Sequence, residues 1–118
     1  MADHDQDKPK SLFIKINGTT LGQPGTLEGL RCARGFAADG RWRVTIEICA
    51  ESVEHFIEFS DQFRAPGFTS VEELAGLVRI IVAMNNTSPN PAIPDWIQPV
   101  TPDEVLQLGL TADVVMMF

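Results

Sequence analysis

Thr69-Ser70-Val71-Glu72-Glu73-Leu74-Ala75-Gly76-Leu77-Val78-Arg79-Ile80-Ile81-Val82-Ala83-Met84 is the stretch whose periodicity decides the architecture. Val71, Leu74, Val78, Ile81 and Met84 recur at helical spacing, and Leu77 and Ile80 widen the stripe to the breadth of a helix lying on a sheet. Thr69 and Glu72 have the spacing of a capping box, so the pattern predicts one long helix over Thr69–Met84. Asn85-Asn86 and then Ser88-Pro89-Asn90-Pro91 stop it.

Upstream, Trp42, Val44, Ile46 and Ile48 alternate with Arg43, Thr45 and Glu47, which predicts a strand with one buried and one wet face. Leu30, Cys32 and Phe36 share an even register before Asp39-Gly40, a turn signal, so residues 30 to 48 read as a hairpin closed by a three- or five-residue connection. The same parity sets Cys32 and Cys49 on opposite faces and disfavours a disulfide between them. Leu12, Ile14 and Ile16 share one face of a further strand, closed by Asn17-Gly18, and a glycine-rich loop runs from Gly18 to Gly29. Residues 52 to 63 carry both a helical stripe (Val53, Phe56, Ile57, Phe63) and an alternating one (His55, Ile57, Phe59). The strand reading is preferred because a meander enlarges the sheet.

Downstream of the long helix, Pro94 to Pro99 forms an irregular, partly apolar connector. Thr101-Pro102-Asp103-Glu104 repeats the helix-start signature, with Thr101 as cap, Pro102 at the first helical position and Gly109 as the stop, which predicts a short second helix. Val114-Val115-Met116-Met117-Phe118 is too apolar to be left in water and is expected to dock as an edge strand or a last short helix. The expected fold is therefore α+β, in two layers: a small antiparallel sheet of three to five strands packed against one long helix, with a short second helix. Residues 1–10, charged and almost without apolar side chains, read as a flexible N-terminal tail, and residues 11–118 as a single domain.

Composition narrows function. The chain has 118 residues, 44% of them hydrophobic, and a formal net charge of -7. That charge repels polyanions, and the nearest basic group, Arg31, Arg34, Arg41 and Arg43, is interrupted by Asp39, so nucleic acid is not an expected partner. No segment has the apolar length of a membrane span, and the charged start MADHDQDKPK lacks the apolar core of a signal peptide, which makes the cytoplasm the expected compartment.

No motif points to a catalytic residue, a metal or a cofactor. His55 has Glu54, Glu58 and Asp61 nearby in sequence, and a carboxylate could hold it as a general base, but nothing completes a site. Asp3, Asp5 and Asp7 lack the glycine and distal glutamate of a calcium loop, and no glycine loop has the context that cradles phosphate. Glu72-Glu73 and Asp103-Glu104 fall where acids complement a helix N-terminus.

From Glu47 to Glu73 seven acidic residues stand against Arg64 alone. Such a patch suits a basic partner, so the leading expectation is a small acidic protein-interaction domain of the neutralising or immunity type. Glu54, Glu58 and Asp61 would steer the partner and Trp96 would anchor it. Trp96 can equally lock the connector to the core, and Phe63 and Phe68 flank a second candidate anchor. A ligand-binding or small enzyme domain with a pocket near His55 and residues 85–100 is the first alternative. A homodimer completed by Val114 to Phe118 is the second.

Overall fold

A computed structural model of the chain describes residues 9–17, 24–54, 71–85 and 92–118. The expected tail, apart from Pro9 and Lys10, lies outside them, as do His55, Glu58, Asp61, Phe63, Phe68 and the Thr69 cap.

Strand β1 (Lys10–Lys15) and strand β2 (Trp42–Ile48) form where the alternating patterns place them, but they run parallel, with Leu12 beside Val44 and Ile14 beside Ile46. A parallel pair needs a crossover, and helix α1 (Pro24–Asp39) supplies it. The expected hairpin is therefore wrong. Leu30 and Ala33 are fully buried, and Phe36 and Ala37 pack against the same core, so the 3.6-residue period governs this segment rather than the even-numbered one. Gly40 at φ 77° ends the helix, and its N–H donates to the Ala37 carbonyl at 3.3 Å. The Asp39-Gly40 signal was real, but it marks a helix C-terminus feeding a parallel strand.

The predicted long helix is also overturned. Among its described residues only Val71–Leu74 is helical (α2); a turn follows, with the Leu77 N–H on the Leu74 carbonyl at 2.8 Å, and Arg79–Ala83 is strand β3. Ile80, Ile81 and Val82 are 2%, 0% and 0% exposed, so β3 is covered on both faces. A strand buried on both faces loses its alternation, and a continuous apolar run fits a helical template as well as a strand. Gly76 and the β-branched residues after it are the local reason the helix does not continue.

Strand β4 (Gln98–Val100), helix α3 (Pro102–Thr111) and strand β5 (Val114–Met117) complete the described chain. The capping box of α3 forms as read: the Glu104 N–H donates to Thr101 Oγ1 at 3.2 Å, and Glu104 Oε1 accepts from the Thr101 N–H at 3.3 Å. The helix passes Gly109 and ends two residues later. The C-terminal segment docks as an edge strand, again parallel, along β1.

The sheet order is β4-β3-β2-β1-β5, with every pairing parallel. This replaces the antiparallel sheet expected from sequence, while the α+β content and the strand number agree with it. Even-numbered residues of β1, β2 and β3 meet α1 and the 92–97 connector in the larger core cluster. Phe13, Ile81 and Val100 face the other way and meet Val105, Leu108 and Ala112 of α3. Helices thus cover both faces, because the return from β4 to β5 crosses the sheet in the opposite direction from the earlier crossovers. The expected two layers become three.

Candidate functional site

In an open parallel sheet all strands end on one side, and that rim is where loops and helix N-termini converge on a ligand. Here β1 ends at Lys15 and β2 at Ile48, with Lys15 and Glu47 in register as direct neighbours. Lys15 Nζ stands 4.0 Å from Glu47 Oε1; the lysine side chain is 44% exposed and the glutamate only 12%. Glu47 Oε1 is buried and has no hydrogen-bond partner. Burial pushes the Glu47 carboxyl above the ordinary carboxylate range, and the Lys15 charge offsets this only in part.

Cys49 follows at the end of β2 in extended conformation. Its Sγ lies 3.5 Å from both the Ile16 and the Asn17 carbonyl oxygens. Burial raises the thiol pKa, the charges of Glu51 and Glu47 raise it further, and Lys15 opposes them. The thiol therefore stays protonated and poorly nucleophilic, and is better suited to contact than to attack.

The N-terminus of α1 closes the same rim. The Asn17 N–H donates to the Phe118 carbonyl at 2.8 Å, and the Phe118 N–H to the Lys15 carbonyl at 2.9 Å. A Cβ on Gly25 would stand 3.3 Å from the Phe118 carbonyl carbon, and one on Gly29 would stand 3.1 Å from the Ile16 side chain. A side chain at either position would have to push its neighbour aside by a few tenths of an ångström. Thr26 is fully buried beside them, and its hydroxyl has no hydrogen-bond partner.

Of the residues singled out from sequence, Glu54 is exposed just beyond the 3-10 turn Ala50–Ser52, near the exposed Glu51. Glu58 and Asp61 fall outside the described residues, so their grouping with Glu54 is untested. Trp96 is half-buried against the larger core cluster with Ile93 and Ile97, in the place of a residue that locks the connector. The pocket expected near His55 and the connector cannot be assembled, since His55 and residues 86–91 are not described. An open depression of about 360 Å³ lies elsewhere, lined by Arg79 of β3 and by Asp103, Glu104, Gln107, Leu108 and Thr111 of α3. Among the described residues no group of three metal-ligating side chains occurs, and no helix is long and apolar enough to cross a membrane.

Sequence reading missed Lys15 and Glu47. Glu47 was assigned to a wet face, which holds for a two-layer antiparallel sheet and fails when the second face is covered. The available signal was position: each is the last charged residue of its strand.

No family model matches the chain, and no curated protein matches it in sequence. Among solved structures, the chain is similar to the crystal structure of the ychN protein from E. coli, at 18% sequence identity and a TM-score of 0.65, over 93% of this chain and 99% of that one. At that identity the likeness is one of fold: this small parallel-sheet domain is built like the ychN protein.

Proposed function

We propose that this chain is a small-ligand-binding domain that takes a small anion at the carboxyl rim of its sheet, beside Lys15, Glu47 and Cys49. The observation that carries the reading is the buried Glu47 Oε1, without a hydrogen bond, set in register next to a half-exposed lysine. Burial disfavours the charged form of the Glu47 carboxyl, so the half-exposed Lys15 ammonium 4.0 Å away is offset less fully than it would be by an exposed carboxylate. A half-exposed lysine and a thiol that burial keeps protonated, at the ends of two adjacent strands, offer a cation and a donor to a small carboxylate or phosphate. Ionisable groups whose charged form is disfavoured by burial gather at binding sites, and two of them stand at this rim.

The test is an NMR titration with inorganic phosphate and, separately, acetate. Saturable shifts centred on Lys15, Glu47 and Cys49, stronger at lower pH and lost in Lys15→Met, support the reading. Shifts scattered over the surface and indifferent to that substitution sink it.

A second reading, an acidic docking domain for a basic protein, draws on Glu51 and Glu54, both exposed after β2. In it Glu58 and Asp61 extend the patch and Trp96 lends its exposed edge. Affinity capture with wild type and with Glu54→Lys, Glu58→Lys, Asp61→Lys together decides it. A basic partner retained by the triple variant rules this reading out.

A further inference from the structure

The two edges of the sheet are finished differently. β4 is three residues long and contains Pro99, which has no N–H to offer a neighbouring strand. β5 reads Val114-Val115-Met116-Met117, with neither proline nor charge, and leaves Val115 48% and Met117 64% exposed. The Phe118 N–H donates to the Lys15 carbonyl and the Asn17 N–H to the Phe118 carbonyl, so Phe118 turns both its groups toward β1. Peptide groups alternate along a strand, so Met116 and Val114 also face β1, and the N–H and C=O of Val115 and Met117 point outward from the sheet. An open edge of this kind offers main-chain hydrogen bonds as well as apolar area, and a strand is the partner that uses both.

We propose that the strand is β5 of a second copy of this chain, joined antiparallel about a two-fold axis through Val115, so that two sheets become one. With this centring the outward groups meet: Val115 exchanges both bonds with Val115 of the second copy, and the Met117 N–H of each copy faces the Asp113 carbonyl of the other. Val115 then lies against the second copy's Val115 on the face that carries α3, where Leu106 and Leu110 are also exposed.

Charge fits the same register. Asp113 comes to lie across from the second copy's Met117, whose in-register neighbour on β1 is Lys15. Both side chains sit on the α3 face, Asp113 is exposed and Lys15 is 44% exposed. Two strand spacings separate their backbones by about 10 Å, which a lysine and an aspartate span. The twofold repeats this pairing at both ends of the seam. An isologous contact closes at two copies, whereas a head-to-tail use of the same edge would propagate.

Sedimentation velocity of the full chain over a dilution series tests the seam, with Val115→Lys as the variant and far-UV circular dichroism as the check on folding. The wild type is expected to be a dimer, and Val115→Lys to weaken it by more than about tenfold while remaining folded. In a Cys32→Ser, Cys49→Ser background, Val115→Cys should oxidise to a covalent dimer, because the centred hydrogen-bonded pair sets the two Cα atoms about 5.5 Å apart, within disulfide range. Met117→Cys should not, since it faces Asp113. A monomer at every concentration, a dimer indifferent to Val115→Lys, or equal cross-linking through both positions overturns the proposal. Val115→Lys leaves Lys15, Glu47 and Cys49 in place, so failure here does not touch the anion-binding reading.

Discussion

A carboxyl whose pKa is raised by folding binds its proton more tightly in the folded state than in the unfolded one. For Glu47 the stabilising contribution is therefore full below the unfolded carboxylate range and is lost as pH climbs through the raised folded pKa. Above that point the folded state holds a charge with one oxygen unsatisfied. Glu47→Gln should leave stability unchanged in acid and raise it near neutrality by about 1 kcal/mol, discounted for the partial exposure of the group; urea melts across the pH range read both limbs. Asp113 behaves in the opposite sense. The Ser11 N–H at 2.7 Å and the Ser11 hydroxyl at 3.2 Å hold its carboxyl below the ordinary range, so its contribution is present above the unfolded pKa and fades as pH falls through the folded one. Ser11→Ala should shift the Asp113 titration upward in an NMR pH series, by less than removal of the main-chain donor would.

At the scale of elements, the glycines of α1 separate packing from propensity. Gly29 meets Ile16 and Phe118, whereas a Cβ on Gly35 would meet nothing within 4 Å. Gly35→Ala should stabilise by roughly 0.5–1 kcal/mol through helix propensity alone. Gly29→Ala gains the same propensity but must displace Ile16, and an overpacking cost of about 1–3 kcal/mol makes it neutral to destabilising. Thermal melts of the two variants should therefore move in different directions. Thr101→Ala removes the observed capping box and should cost about 1 kcal/mol.

These elements also show what was legible. Trp42–Ile48 and Leu12–Ile16 were readable because α1 and the connector bury one face with period two, and Thr101 to Glu104 because capping chemistry is local. Helix α1 was hidden by its own packing device: Gly25, Gly29 and Ala33 are small so that the helix can approach the strands closely, and small residues do not register as an apolar stripe. β3 was hidden for the reverse reason, since burial on both faces erases the alternation that identifies a strand. The sheet direction followed from those two errors, because a strand read in place of α1 leaves no crossover and forces a hairpin. Lys15 and Glu47 escaped notice until the covered second face made a charge there informative.

For the molecule as a whole, β3 is the discriminating element. A helix over 69–84 would leave its outer face in exchange with solvent, whereas a central strand is shielded on both sides. Hydrogen exchange should find the amides of Ile80 to Val82 among the slowest in the chain, and Ile81→Ala should cost about 2–5 kcal/mol by opening a cavity against Phe13 and Val100. The order β4-β3-β2-β1-β5 places the first strand of the sequence inside the sheet and the last on its far flank. Ser11 and Asp113, in contact here, are 102 residues apart in sequence. Closing so long a loop is slow. While the chain is being synthesised, β1 therefore keeps one bare ladder of amides and carbonyls until β5 has emerged, and nascent chains halted short of residue 114 carry that ladder as a template for aggregation.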